Sequence, residues 1–591
     1  MAQFTPSEFR VFNIYIIIKW ISKCIIHSFF TKVNIMNEER MPLYGPVIFV
    51  GNHNNQFIDA CLMIHAINRQ ISFLTAEKSM KRNVIGHFAK LAGCIPVKRP
   101  QDLKYRGLGN IIFENTRVKG VNTRFLIDIN VGDKITIDSV ASQVVEIISE
   151  TELILDSPLN INCTDMIKGM SFKILPKVNQ TEVYDKTTTS LINGNAIAIF
   201  PEGGSHDRST LLPLKPGVVL MAIYALMAGA EDVVIVPVGL GYSNTHNLQS
   251  NATLCYGDAI TVSKEDCEEF QKDRRSVISR ILAHVEKGLK SCIVTAPNHE
   301  IKEWINLCAS LYPPERSVIS NNKVNNLKQL VSKIFWAYTD SKETKELIEE
   351  LKIYKEGLLK CNLHDDEVWL LKQSLHSATI MLFEHIIRLI YNVIMGLSFS
   401  PLWFPLHLIS KILADRHRTM VMTTSSVKIE GGDVIASYKV IVLLVLLPLF
   451  NAFYGLVFGF FKYGDIKSMF MTMTVAISIL PILYYINMRY VKNIPMLLRQ
   501  LRIVPIIIMG RINVWRETER EIITLRAELQ LLVRQFVYTM GPKVSENFLS
   551  ELNSNFPKIL VDSDTKRLLR NKDEWMPIFS RSYIENREEI L

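Results

Sequence analysis

The stretch 51-GNHNNQFIDA-60 follows directly on an apolar run at 46–50. A short run rich in β-branched residues that ends in glycine and asparagine reads as a buried strand giving way to a polar turn. Gly, Asn and His are ordinary loop residues, so the turn alone calls for nothing more. A His followed six places later by an Asp, at the mouth of a strand, is also the outline of a catalytic pair. The rest of the chain decides between the two readings.

From about 45 to 262 the same pattern recurs. Short apolar runs at 47–50, 71–74, 197–200 and 233–238 alternate with polar turns and helical periods. Runs of this length and composition predict the strands of an α/β sheet. Between them 82-RNVIGHFAKLAG-93 and 216-PGVVLMAIYALMAG-229 predict helices, the second opening with Pro and closing with Gly. Residues 121–176 break the rhythm with alternating apolar and polar positions, which predicts a small antiparallel β insertion. Residues 263–375 are charged and helical in period, as in 343-ETKELIEELKIYKEGLLK-360 with its Glu/Lys pairs.

The bulk numbers agree with a two-part chain. With 591 residues the length prior suggests roughly three or four units. The chain is 48% hydrophobic and 21% charged, too apolar for an ordinary soluble enzyme and too charged for a bare membrane bundle. The net charge of +9 is spread out and suits an anionic membrane surface or an anionic substrate better than a nucleic-acid groove. Nine cysteines show no CxxC pairing, so neither a zinc site nor a disulfide framework is expected, and a reducing compartment is.

The apolar segment at 11–30 carries Lys19 and Lys23 and has no small-residue cleavage site, so it is not read as a secretory signal. Helical spacing puts Ile14, Ile17, Ile18, Ile21 and Ile25 on one face with both lysines opposite, which predicts an interfacial helix within 1–40. Toward the C-terminus the segments 438–461 and 468–486 each have about the 20 mostly apolar residues that a bilayer core requires. The segment 379–413 holds Glu384, His385, Arg388 and two prolines, and reads as a broken hairpin or an interfacial helix. Basic residues precede the clear pair (Arg416, Arg418) and follow it (Arg489, Lys492, Arg499, Arg502), which puts both flanks in the cytosol. The expected organisation is therefore an α/β domain at 41–262, a helical region at 263–375, membrane-embedded helices at 376–490 and a peripheral helical region at 491–591.

Three further blocks accompany the opening stretch: 93-GCIPVKRP-100, 199-IFPEGGSHDR-208 with Lys215 shortly after, and 235-IVPVGLGY-242. Loops at the carboxyl ends of neighbouring strands gather at one edge of an α/β sheet, where such proteins build sites. The four blocks in this order resemble the glycerophospholipid acyltransferase superfamily, whose hallmarks are a His-x4-Asp motif and an FPEG block. NHNNQFID and FPEGGSHDR, with a β-like insertion before the second, look most like the fungal-type glycerol-3-phosphate/dihydroxyacetone-phosphate O-acyltransferases. The resemblance covers about residues 45–262. One departure stands out: five residues, not four, separate His53 from Asp59. Neither spacing aligns the two side chains on a continuous helix, where they diverge by about 140° or 120°. The pair therefore requires His53 in the turn ahead of the helix.

The resemblance implies an α/β acyltransferase domain followed by transmembrane helices, in the endoplasmic reticulum membrane with the catalytic domain facing the cytosol. It implies transfer of a fatty acyl group from acyl-CoA to position 1 of glycerol 3-phosphate, or of dihydroxyacetone phosphate, to give lysophosphatidic acid. No cofactor and no metal is expected; acyl-CoA is a co-substrate, and the acceptor and the lipid bilayer are the other expected partners, with no nucleic acid. His53 would take the proton of the attacking hydroxyl, and Asp59 would orient the imidazole. Arg99, with Lys98, Arg208 and Lys215 as further cations, matches a phosphate contact. Glu202, Gly203, Gly204 and Ser205 fall at acceptor-binding positions, and Pro237 on the acyl or CoA side. A lysophospholipid acyltransferase and a non-catalytic lipid-binding membrane protein are the alternatives. A serine hydrolase fails because Gly203–Asp207 lacks the final glycine of G-x-S-x-G, and Ser205, His206 and Asp207 are too close in sequence to converge as a triad.

Overall fold

The computed structural model describes residues 6–137, 140–159, 169–242, 250–313, 321–360, 363–371, 375–424, 428–511 and 516–556. Fifteen strands form two sheets. In chain order they are β1 (Phe30–Met36), β2 (Val47–Gly51), β3 (Ile71–Ala76) and β4 (Ile95–Val97), then seven inserted strands, then β12 (Ala196–Ile199), β13 (Val233–Tyr242), β14 (Ser250–Tyr256) and β15 (Ile260–Val262). The large sheet runs β1-β14-β13-β2-β12-β3-β4, with β15 also on β13. The pairs from β13 through β2, β12 and β3 to β4 are parallel, while β14 and β15 run antiparallel to β13.

β2 lies in the middle, and all five of its residues are buried. Its unbroken apolar run has a simple cause, because helices cover both faces of a parallel strand. Val47 and Phe49 pack on the side of the helix Gln56–Ala66 and the N-terminal helix Pro6–Phe29; Ile48 and Val50 pack on the side of Gly217–Met227 and Arg274–Cys292. The chain leaves β2 at its carboxyl end, and that is where His53 stands.

The inserted strands are β5 (Tyr105–Arg106), β6 (Asn110–Glu114), β7 (Arg117–Val121), β8 (Lys134–Ile137), β9 (Val140–Ser149), β10 (Glu152–Leu155) and β11 (Lys173–Leu175). They pair in the order β5-β11-β8-β9-β10-β7-β6 around their own core of Ile111, Val118, Phe125, Ile135, Val144 and Leu153. The insertion thus begins at 105 rather than 121. Its first hairpin turns on Asn115 at φ 58°, a left-handed position filled by asparagine instead of the glycine that sequence reading looks for.

The N-terminal helix also differs from its predicted face. Tyr15, Ile18, Ser22, Ile25 and Ile26 are buried, whereas Ile14, Ile17 and Trp20 are exposed. Lys19 is not opposite the packed face: its Nζ donates to Ile67 O at 2.9 Å and Asn68 Oδ1 at 3.3 Å, just past the end of the helix Gln56–Ala66. A lysine beside the free carbonyls of a helix C-terminus is favourably placed. The helix is apolar almost all round, so the sheet domain takes one face and leaves Ile17 and Trp20 outward.

Among the described residues, those of 516–556 do not stand apart as the predicted region after 491 would. Arg516–Val544 and Phe548–Asn555 share one core with His299–Leu311, Asn321–Tyr338 and Lys342–Lys360, through Trp304, Leu330, Phe335, Tyr354, Val533 and Phe536. The rest of the predicted region, 557–591, lies outside the described residues. Among the described residues, three helical segments are long and apolar enough to cross a membrane: Thr379–Leu397, Gly432–Tyr463 and Ile466–Arg502. The second and third pack closely because Gly455 and Gly459 lack side chains: a Cβ on Gly455 would lie 2.6 Å from Met473 Cα, and one on Gly459 2.7 Å from Met469 Cα. The 379–413 segment is a broken pair of helices, Leu375–Leu397 and Ser400–Thr424.

Candidate active site

Asn52 ends β2 by imitating a strand residue. Its side-chain amide donates to Leu240 O at 2.9 Å and accepts from Leu240 N at 2.6 Å, so β13 keeps its hydrogen bonds while the main chain turns away. His53 follows, outside the helix, as the spacing requires. Its Nδ1 is 2.8 Å from Asp59 Oδ2. The imidazole stacks on Phe200 with ring centroids 4.2 Å apart and planes 5° apart, which fixes its plane. Gln56, which opens the helix, has φ 40°.

Asp59 is fully buried and both of its oxygens are hydrogen-bonded. Oδ2 accepts from His53 Nδ1–H and from the Asn55 N–H at 2.7 Å; Oδ1 accepts from the Tyr242 hydroxyl at 2.5 Å. Burial, and then the Asp59 charge, push the Tyr242 phenol well above its ordinary value, so it stays a donor. With the Nδ1 proton held by Asp59, the Nε2 lone pair is the one available to take a proton.

The FPEG loop, after β12, braces this turn from the other side. Glu202 is buried with both oxygens occupied: Oε1 accepts the His53 N–H at 2.9 Å, and Oε2 accepts the Leu212 N–H at 2.8 Å and a bond from His206 Nε2. His206 Nδ1 accepts from the Arg208 N–H at 3.2 Å, which makes Nε2 the protonated nitrogen, and the His206 N–H in turn donates to His53 O at 3.1 Å. Glu202 therefore ties two loops together. This differs from its expected place as a ligand for substrate hydroxyls, because the carboxylate is buried and three of its roughly four acceptor positions are taken by the protein.

The cations separate into two groups. Arg99 donates from Nη1 to Gly203 O at 2.9 Å and from Nε to Asp102 at 2.6 Å, and its Nη2 has no protein partner among the described residues. Lys215 crosses over Gly203, whose φ of +77° and lack of a Cβ leave space for it; a Cβ there would meet Lys215 Nζ at 2.1 Å. Burial first, and then the Arg99 charge, lower the Lys215 ammonium below its ordinary value. Two cations beside a glycine turn are chemically suited to a phosphate. Lys98 does not join them. Successive residues of an extended chain point to opposite sides, and Lys98 lines a small cavity of about 250 Å³ with Glu77, Pro96, Gln180 and Glu182. The Arg208 side chain is exposed. Ser205 is turned toward Lys428, whose Nζ donates to its carbonyl at 2.8 Å and its hydroxyl at 3.1 Å.

Pro237 is not brought to His53. It sits in β13, an interior strand, at the gap between the β14 and β15 pairings, where a residue without an N–H costs no bond. It packs against the helix Arg274–Cys292 at Gly288, on the face opposite Gln56–Ala66. Sequence reading missed Asn52 and Tyr242 as members of the site, and weighed His206 only in a triad with Ser205 and Asp207 that it set aside. All three lie within the quoted blocks or one residue from a strand end, and only the pairing of strands shows what they touch.

A carboxylate-held imidazole at the end of a parallel strand, beside a cationic glycine loop and a membrane-type helix pair, suits a membrane-associated transferase. Comparison with known proteins agrees. Residues 32–155 and 147–241 match the acyltransferase family model, and residues 304–545 match that of the glycerol-3-phosphate acyltransferase 2 C-terminal domain. An uncharacterized acyltransferase of Schizosaccharomyces pombe is 30% identical over 468 residues, 75% of this chain and 68% of that protein. Glycerol-3-phosphate O-acyltransferases 1 and 2 of Saccharomyces cerevisiae are each 29% identical, over 76% and 72% of this chain. The chain spans 61% and 63% of those two relatives' own lengths. The chain belongs to the glycerophospholipid acyltransferase family.

Proposed function

We propose that this protein transfers the acyl group of an acyl-CoA to the sn-1 hydroxyl of glycerol 3-phosphate, with dihydroxyacetone phosphate as a second acceptor. The observation that carries the reading is the His53–Asp59 pair at 2.8 Å, set on the same loop system as Arg99, Gly203 and Lys215. The acceptor phosphate lies against Arg99, Lys215 and the glycine turn, which holds the 1-hydroxyl near His53. His53 Nε2 removes the hydroxyl proton as the oxygen attacks the thioester carbonyl. The tetrahedral intermediate collapses with cleavage of the carbon–sulfur bond, and the imidazolium returns the proton to the CoA thiolate. Lysophosphatidic acid and free CoA leave. Asp59 stays ionised throughout and stabilises the imidazolium, with Tyr242 and Asn55 holding the carboxylate. No enzyme nucleophile and no cofactor takes part.

The three long apolar helices and the similarity to fungal acyltransferases support an integral membrane location. We place it in the endoplasmic reticulum with the catalytic domain in the cytosol, where acyl-CoA and glycerol 3-phosphate are dissolved. The test is acyl transfer in membranes from cells expressing the chain, with labelled acyl-CoA and each acceptor offered separately, beside His53→Ala. Transfer to glycerol 3-phosphate or dihydroxyacetone phosphate that His53→Ala abolishes at unchanged protein level supports the reading. Transfer only to lysophosphatidic acid makes the protein a lysophospholipid acyltransferase, and no transfer at all makes it a lipid-binding protein.

A further inference from the structure

The helix Gly432–Tyr463 is long and apolar enough to cross a membrane, yet its first turns are embedded in the catalytic domain. Ala436 and Val440 join the core that holds Ile58 and Leu62. Ser437, fully buried, donates from Oγ to Asn55 O at 2.6 Å and accepts from the Ile58 N–H at 3.3 Å, a donor that also bonds Asn55 O. Asn55 is the residue whose N–H holds Asp59 Oδ2 at 2.7 Å. The two ends of one peptide unit's neighbours are thus committed to two different helices: the amide to the catalytic aspartate, the carbonyl to the membrane helix.

The attachment is reciprocal. Gly431, the N-cap of the membrane helix, has φ 69° and no side chain with which to satisfy the free N–H groups of a helix start. Asp207 of the FPEG loop, more than two hundred residues away, holds the approach to the helix instead, accepting from the N–H groups of Ile429 at 2.8 Å, Glu430 at 2.7 Å and the N-cap Gly431 at 2.6 Å, and from Gly432, the first helical residue, at 3.4 Å. Burial alone would raise the Asp207 carboxyl; the bonds from Ile429, Glu430 and Gly431 outweigh it and hold the group below its ordinary value. Lys428 spends its three ammonium protons on Ser205 O, Ser205 Oγ and the buried carboxylate of Asp433. At the start of the catalytic helix, Ser437 Oγ lies 3.4 Å from Asn55 Oδ1 as well as on the Ile58 N–H. Each helix start is therefore tied to the other domain.

We propose that the first turns of the helix Gly432–Tyr463 belong to the catalytic apparatus: Ser437 is a positioning residue that sets the Asn55–Asp59 turn behind His53, and Asp207 with Lys428 holds it in register. The membrane anchor then does more than keep the enzyme at the bilayer, since a shift of this helix relative to the sheet displaces the group that orients the base. The proposal rests on the acyl-transfer reading.

The experiment uses the full chain in membranes, comparing wild type, Ser437→Ala and Asp207→Asn for kcat, KM and the pH profile of kcat/KM. Ser437→Ala is expected to lower kcat roughly tenfold, the worth of one buried hydrogen bond, with KM for both substrates changed by less than about twofold. The acid limb of the profile moves to lower pH. An imidazole whose carboxylate partner is loosened is less basic, and of the groups around His53 (Asp59, Tyr242, Glu202 and His206) only Asp59 is displaced by the change. Asp207→Asn, which keeps the shape of the cap, shifts both quantities in the same direction. A merely structural role would lower the amount of active protein and leave the acid limb in place, and that result in Ser437→Ala overturns the proposal. If Ser437→Ala does not accumulate, Asp207→Asn decides on the same criteria. Wild type inactive on every acceptor removes the acyl-transfer reading and this proposal with it, whereas an active wild type with unchanged variants removes the proposal alone.

Discussion

At the scale of single residues, the site is organised by which protons are already committed. Asp59 receives three donors, and Glu202 receives three from two loops, and both are buried, so each carboxylate is committed mainly to the protein. What remains uncommitted among the described residues is His53 Nε2, Arg99 Nη2 and the Lys215 ammonium, a base and two cations. Lys215 gives this a pH signature. Its ammonium is depressed from the ordinary 10.5, first by burial and then by Arg99, so it loses its proton at a lower pH than a free lysine does. A phosphate dianion is bound by the charged form. The KM for glycerol 3-phosphate should therefore be constant at neutral pH and climb as the pH rises through the depressed value, before an ordinary lysine would titrate. Initial rates between about pH 7 and 10 test this, and Lys215→Arg should flatten the climb because guanidinium stays charged. A KM in the wild type that does not change over that range places the phosphate elsewhere.

At the scale of elements, the decisive one is the strand–turn–helix unit 47–66. Its strand and its polar turn were legible in the sequence because both are local: a β-branched run, then glycine and asparagine. The same holds for β3, β12 and β13, and it is why four blocks sufficed to outline the site. What was not legible is long-range. Asn52 can be understood only beside Leu240, and Ser437 only beside Asn55; neither has a local pattern that marks it. Lys98 and Arg99 read alike as a basic pair, and only the alternation of an extended chain separates them. The five-residue spacing between His53 and Asp59 is the case where sequence raised the question and structure answers it. His53 reaches Asp59 at 2.8 Å from ahead of the helix, and Gln56, the first helical residue, stands at φ 40°, a conformation that costs an L-residue about 1 kcal/mol. Gln56→Gly should therefore leave acyl transfer intact and raise the unfolding midpoint slightly, while Gln56→Val, a β-branched residue in the left-handed region, should lower both activity and midpoint. Comparing thermal inactivation of the two variants in membranes checks this; equal behaviour would mean that the turn carries no backbone strain.

At the scale of the whole molecule, the packing restricts how the chain can sit in a bilayer. Helices before residue 375 and after residue 511 share a single hydrophobic core, so both ends of the membrane region lie on one side. Three helices have the length and apolarity to cross, and an odd number of crossings would separate those ends. The start of Gly432–Tyr463 is fixed in the catalytic domain by Asp207 and Ser437, and the helix Ile466–Arg511 leads back toward the bundle, so this pair crosses and returns. The helices Leu375–Leu397 and Ser400–Thr424 must then enter and leave from the same side, as a re-entrant hairpin. The contacts at its turn agree: Tyr454 donates to Leu402 O at 2.6 Å, Trp403 packs edge-on to Tyr484, and Asn487 reaches Gly396 O. Tyr454 precedes the hairpin end at Gly464 by ten residues, or about 15 Å of helix, roughly half the thickness of a hydrocarbon core. A glycosylation acceptor sequence on a flexible spacer, inserted between Gly464 and Asp465, should be modified in the lumen, and the same insert between Ser398 and Phe399 should not. Modification at 398–399 would mean that Leu375–Leu397 crosses completely, which the shared core on one side of the membrane does not permit without another segment crossing back.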